Sequence, residues 1–212
     1  LLAALRPRDY ALLEPHLQIV PIGEGEFLHM PGEEIEQIHF LHKGIVSLMA
    51  ISAEGDAIAT ASVGSEGAIG TIVGTGFVRA FTRAMVHAPG IASRIEASHF
   101  RRAVSKSETI NNLLTRYHMA QMCQVQQTSL CNSVHDATSR LSRLLLLLSE
   151  QSKDDIISFS QERLAGMLGL RRSTIGRTNA AVAALHKIST RANRDRQPQG
   201  AESSGMRMLR SH

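Results

Sequence analysis

The sequence predicts an α+β fold: a β sandwich or barrel, then a long helix, then a helix-turn-helix. Three observations carry this expectation. Short β-type runs broken by glycines fill residues 1–106. Residues 107–134 contain neither Gly nor Pro. Residues 159–177, FSQERLAGMLGLRRSTIGR, read as two helices joined at a glycine. The expected division is a β domain over 1–106, two connecting helices over 107–151, a helix-turn-helix unit over 152–188 and a tail over 189–212.

A short helix near residues 8–13 opens the chain, and strand-like runs follow at 17–22, 26–28, 35–41, 45–51, 57–63, 69–73, 81–87 and 91–95. Many short strands with regular turn signals indicate a sandwich or barrel. Glu54-Gly55-Asp56 lies between two of these runs and reads as a hairpin turn.

Residues 107–134 are expected to form one helix. Leu113, Tyr117, Ala120, Gln124, Gln127 and Cys131 follow a spacing of three and four along it. A stripe of that length calls for a partner helix, either in a second copy or in its own domain. Residues 137–151 form a second helix with Leu141, Leu144, Leu145 and Leu148 as its apolar stripe. Residues 152–155, Ser-Lys-Asp-Asp, are a polar linker.

In the helix-turn-helix, Ser160 is placed to cap free backbone N–H groups, and Glu162 sits where the helix dipole favours negative charge. Leu164, Met167 and Leu168 form one stripe, and Ala165 admits a close crossing. Gly169 suits the left-handed turn that ends a helix, and Leu170 fills the space between the two helices. The second helix is expected over 171–186. At about 100° per residue, Arg172, Ser173, Gly176 and Arg177 share one face, opposite Ile175, Thr178, Val182 and Leu185. An Arg can pair two donors with guanine O6 and N7 in the major groove. Ser160, Arg171 and Thr174 are candidate phosphate contacts, which position the protein without reading sequence.

Composition narrows the function classes. A 43% apolar content excludes a disordered chain, and a net charge of +4 permits a polyanionic partner. With no Trp and two Tyr, stacking on single-stranded bases is disfavoured. Cys123 and Cys131, eight residues apart on one helix, would lie about 12 Å apart, too far for a mutual disulfide. A reduced cytosol fits that usage. There is no signal peptide, and the apolar run 144–148 is too short to span a bilayer, so no membrane role is expected. The chain begins at Leu rather than Met, so its true N-terminus is expected to lie upstream.

No Ser-His-Asp order, phosphate loop or paired-carboxylate spacing stands out, so no enzyme is expected. Cys131 and His135 have a spacing that can ligate a metal on a helix, but core packing explains them more simply. His39 and His42 are three apart, which puts them on opposite faces of a strand and argues against a metal-binding trio with His29. No metal and no cofactor are expected.

The chain resembles the Crp/Fnr family of bacterial transcription regulators. The resemblance is carried by Ser160-Gln161-Glu162-Arg163-Leu164-Ala165, by Leu168-Gly169, and by Arg171-Arg172-Ser173-Thr174-Ile175-Gly176-Arg177. Upstream, Gly25-Glu26, Pro31-Gly32-Glu33, Phe40-Leu41 and Gly44 resemble the family's jelly-roll sensor domain. The resemblance implies a cytoplasmic homodimer paired through the long helix. It implies double-stranded DNA as a partner, RNA polymerase as a second, and a small-molecule effector. It places Arg172, Ser173 and Arg177 at base edges. Many members have Glu at the position of Ser173, so the half-site read here is expected to differ.

In members that bind cyclic nucleotides, a Gly-Glu pair holds the ribose and an Arg followed by Ser or Thr holds the phosphate. The matching positions here are Gly70-Thr71 and Thr82-Arg83. Thr71 offers no carboxylate. The reversed order at Thr82-Arg83 turns Arg83 to the other face of its strand. High-affinity cyclic nucleotide binding is therefore not expected, and the N-terminal cysteine cluster of the iron–sulfur members is missing.

The resemblance ends near Lys187. The family continues into a β-hairpin wing, whereas residues 188–212 are rich in Arg, Ser, Gln and Gly and read as a disordered tail. A reading-frame change or a truncation would produce such a break. Loss of the wing would weaken DNA binding, and the alternative reading is a ligand-sensing or interaction module with a defective DNA unit.

Overall fold

The computed structural model describes residues 1–151 and 159–178. Expectations for 152–158 and for 179–212, including the linker, the end of the second helix, the wing and the tail, lie outside the described residues. The rest has the α+β class expected of it. The elements in order are α1 (Pro7–Tyr10), β1 (Gln18–Ile22), β2 (Phe27–His29), β3 (Gln37–Ile51), β4 (Ala57–Val63), β5 (Ala68–Ile69), β6 (Arg83–Glu96), α2 (Ala97–Lys106), α3 (Glu108–Val134), α4 (Ala137–Gln151) and α5 (Gln161–Leu168). Residues 172–178 are also helical.

The strands form one antiparallel sheet in the order β1-β6-β3-β4, with β2 added to β6 and β5 to β3. Two pairs of expected strands are in fact continuous: 35–41 and 45–51 merge in β3, and 81–87 and 91–95 merge in β6. Gly44 and Gly90 bend this ladder instead of ending it. Register shifts between Leu41 and Val46, and Gly44 takes φ +102°, a left-handed value that glycine adopts readily. A Cβ on Gly90 would lie 1.9 Å from the Lys43 carbonyl oxygen, so the strands meet there backbone to backbone.

The expected strand over 69–73 stops at Ile69. Gly70 turns left-handed at φ +85°, and Thr71–Thr75 form a 3-10 turn. Residues 81–82 precede β6 rather than belonging to it. Helix α2 interrupts a region read as β, and its buried residues Ala97, Phe100, Ala103 and Val104 have helical spacing.

Ser107 starts α3 by accepting from the Ile110 amide, and its hydroxyl donates to Asp9 at 2.6 Å. Ile110, Leu114 and Cys131 are buried along this helix. The Tyr117 hydroxyl donates to the Ala68 carbonyl at 2.8 Å and accepts from the Ala68 amide at 3.0 Å, which pins α3 to β5. Burial holds that phenol well above its ordinary pKa. Tyr117, Gln124 and Cys131 engage their own domain, while Ala120 and Gln127 are exposed. The apolar residues left exposed along α3 are Met119, Met122, Val125, Leu130 and Val134, away from the Tyr117–Gln124–Cys131 line.

The Asp136 carboxylate accepts from the Ser139 amide at 2.9 Å and so caps α4, a contact that lowers its pKa. Leu141, Leu144 and Leu148 are the buried stripe of α4. At its far end, Gln151 enters the sheet. Its amide oxygen accepts from the Ser62 hydroxyl at 2.7 Å, and its nitrogen donates to the Ser62 carbonyl at 2.8 Å and to Glu66 at 3.1 Å. Among the described residues no helix is long and apolar enough to cross a membrane.

Candidate nucleic-acid interface and effector cavity

The helix-turn-helix is built from local signals. The Ser160 hydroxyl accepts from the Arg163 amide at 3.2 Å and starts α5. Gly169 takes φ +60°, and the Leu170 amide returns to the Ala165 carbonyl at 2.9 Å, closing the turn. The second helix begins one residue later than expected. Arg171 stands at its threshold, with its carbonyl accepting from the amides of Thr174 and Ile175. Ile175 is fully buried and Thr178 nearly so, its hydroxyl donating to the Thr174 carbonyl at 2.7 Å. Arg171, Arg172, Ser173 and Arg177 are exposed, as is Ser160, and Thr174 is half-buried. Gly176 faces Gln161 of α5, where an added Cβ would lie 3.5 Å from the amide oxygen.

This unit is docked on the β domain. Leu164, Ala165, Met167, Leu168 and Ile175 share one core with Leu141, Leu144, Leu148 and Ile45. Arg140 donates to the Leu168 carbonyl and so caps the C-terminus of α5. Arg163 pairs with Glu24 and donates to the His87 carbonyl at 3.2 Å. His87 is buried, and its pKa falls to about 4 through burial and the nearby Arg163. Neither Arg140 nor Arg163 was foreseen as a docking residue. Arg163 and Glu24 are 139 positions apart, and no local pattern links them.

A second site lies between the sheet and α3. It is a cavity of about 300 Å³, with Gly70, Thr71 and Thr82 among its walls. Ile35, Leu48, Ile69 and Ile72 line it from the β domain, and His118, Gln121, Met122 and Val125 line it from α3. Arg83 is not a wall residue. Its guanidinium lies 5.2 Å from the centre of the Phe27 ring. None of the lining residues is Asp, Glu, Lys or Arg. Thr71 Oγ1 is 3.0 Å from His118 Nε2, which joins the two walls. Burial lowers the pKa of His29 to about 4, against the pull of Glu33, and burial lowers that of His118 as well. The α3 residues of this wall were missed because polar His118 and Gln121 do not resemble a core face.

The other candidate ligands do not come together. Cys131 is buried and its sulfur accepts from Gln127, while His135 is exposed at the end of α3. His39 is buried, and His42 is exposed and hydrogen-bonded to the Ser93 hydroxyl at 2.7 Å. Among the described residues no group of three His, Cys, Asp or Glu could hold a metal.

The sequence matches no protein-family model, and no curated protein matches it. Solved structures do match. The FixK2 protein of Bradyrhizobium japonicum superposes with a TM-score of 0.70 at 13% identity, over 80% of this chain and 86% of that one. The c-di-GMP-responsive global regulator CLP of Xanthomonas campestris gives 0.63 at 16% identity, over 84% and 92%. A Crp/Fnr-family transcriptional regulator of Thermus thermophilus gives 0.62 at 17% identity, over 79% and 86%. Likeness at these identities speaks to architecture, and the chain has the fold of the Crp/Fnr transcription regulators.

Proposed function

We propose that this protein is a homodimeric, DNA-binding transcription regulator whose helix-turn-helix reads the major groove. One observation carries the reading: Arg172, Ser173 and Arg177 stand exposed on one face of a helix whose other face is fixed in the core by Ile175 and Thr178. That arrangement offers guanidinium groups to base edges on a rigid support. Ser160, Arg171 and Thr174 flank this face and suit phosphate contacts. The outward residues Met119, Met122, Leu130 and Val134 of α3 support pairing with a second copy, which would set two recognition helices about one DNA turn apart. The cavity beneath α3 supports an effector site, and RNA polymerase is the partner such a regulator would meet at a promoter.

Selection of bound duplexes from a random pool, followed by fluorescence anisotropy on the selected site, tests the reading. Arg172→Ala and Arg177→Ala are each expected to weaken specific binding by about 1–3 kcal/mol, with little change on random duplex. Equal affinity of both variants and the parent for the selected site would remove the base-reading role.

A further inference from the structure

We propose that the cavity between the sheet and α3 takes an uncharged, largely apolar small molecule that presents one hydrogen-bonding group to the Thr71–His118 pair. The inference rests on the effector site proposed above and names the ligand class for it.

The cavity holds about 300 Å³, at the lower end of the range of small-molecule sites. Its walls are mostly apolar. The polar groups present, such as Thr71, His118 and Gln121, carry no full charge, because burial keeps the imidazole neutral. A phosphate or carboxylate placed against these walls would lose part of its water and gain no cation, a net cost for a charge. The nearest arginine in sequence, Arg83, is held over Phe27 and does not line the space. A neutral molecule incurs no such penalty.

The hydrogen-bonding requirement comes from the Thr71–His118 contact. Thr71 is 3% exposed and belongs to the turn after Gly70, whereas His118 belongs to α3. A ligand hydroxyl entering this pair can give and accept at once, replacing one bridge between the walls by two. Met122 lines the same cavity and is also among the outward apolar residues of α3. A ligand that moves Met122 therefore touches the face proposed for pairing.

The test uses the full chain and 1-naphthol, whose emission is free of interference because the protein has no Trp. 1-Naphthyl phosphate and cyclic AMP are the charged comparisons, and naphthalene is the comparison without a hydroxyl. Saturable 1-naphthol binding is expected below about 1 mM, with both phosphates at least about a hundredfold weaker. Thr71→Val is expected to weaken 1-naphthol by about three- to tenfold and to leave naphthalene unchanged. Circular dichroism confirms that the variant is folded. Phosphate binding as tight as 1-naphthol binding overturns the inference. So does absence of saturable 1-naphthol binding, or equal weakening of 1-naphthol and naphthalene by Thr71→Val. Affinity for the selected duplex is measured on the same preparation. Intact duplex binding with failed 1-naphthol binding rejects the ligand class alone, and failed duplex binding rejects the regulator reading.

Discussion

Replacing Gln151 by leucine is expected to destabilise the protein through the two polar groups it strands. Gln151 and Ser62 are 8% and 5% exposed, so water does not substitute freely for a lost partner. The Ser62 hydroxyl loses its acceptor, and the Ser62 carbonyl loses its side-chain donor. Glu66 also loses a donor but keeps the Gly64 amide at 2.9 Å. Each stranded buried group costs about 1–3 kcal/mol, and burying a leucine side chain offsets about 1–2 kcal/mol of the total. The net loss is about 1–4 kcal/mol, equivalent to a Tm lower by about 2–16 °C at this chain length. Urea unfolding followed by far-UV circular dichroism is the assay, since the chain has no Trp and two Tyr. Adding Ser62→Ala removes the stranded hydroxyl and is expected to recover about 1 kcal/mol. A single variant within about 0.5 kcal/mol of the parent, or a double variant whose losses simply add, would refute the argument.

Leu130 is 53% exposed on the outward face of α3, and Leu130→Glu is expected to yield monomers of unchanged circular dichroism in sedimentation velocity. A Leu130→Glu dimer as tight as the parent would count against pairing through this face. Acid is expected to weaken the fold through His39 and His87. Burial, aided by Arg94 and Arg163 respectively, holds both pKa values near about 4, below the ordinary 6.5. Above pH 6.5 both rings are neutral, folded or unfolded. Between pH 6.5 and 4 the unfolded chain binds protons that the folded chain refuses, so stability falls with pH, by up to about 2–3 kcal/mol per ring at pH 4.5. His87→Leu is expected to flatten the urea midpoint between pH 7 and 4.5, and an unchanged slope would exclude His87.

What was legible in the sequence was local. Ser160 and Gly169 mark the ends of α5 by short-range capping chemistry, and Leu164, Met167 and Ile175 fall into the core by periodicity alone. What was misread depended on distant partners. Gly44 and Gly90 signalled turns, yet each serves to let the other strand pass. Helix α2 was hidden by the glycine-rich context before it, although Phe100, Ala103 and Val104 carried its spacing. Helix α3 has apolar residues on more than one face, so no single stripe stands out. The inward face is also polar in part, with Tyr117 and Gln124 satisfied by backbone groups of β5 and β4. The Arg163–Glu24 pair depends on the docking of two domains and leaves no trace in local pattern. The cavity walls were half visible: Gly70, Thr71 and Thr82 came from motif positions, while the α3 wall required the fold.

The crossing of Gly44 and Gly90 has a mechanical consequence. On one side of it, Ile38, Phe40 and Ile95 of β3 and β6 join the core that holds Phe100 and Leu114. Immediately on the other side, Ile45 and Ala88 join the core that holds Leu164 and Ile175. A Cβ on Gly90 would lie 2.7 Å from the Gly44 nitrogen, so no side chain fits between the two arms. The strand pair is bare of side chains at this one point. The two arms also share a side-chain core, in which Leu41 and Ala92 from one side pack with Val46, Ala84 and Val86 from the other. A methyl group at Gly90 would strike the Lys43 carbonyl and force apart the strands that feed all three cores.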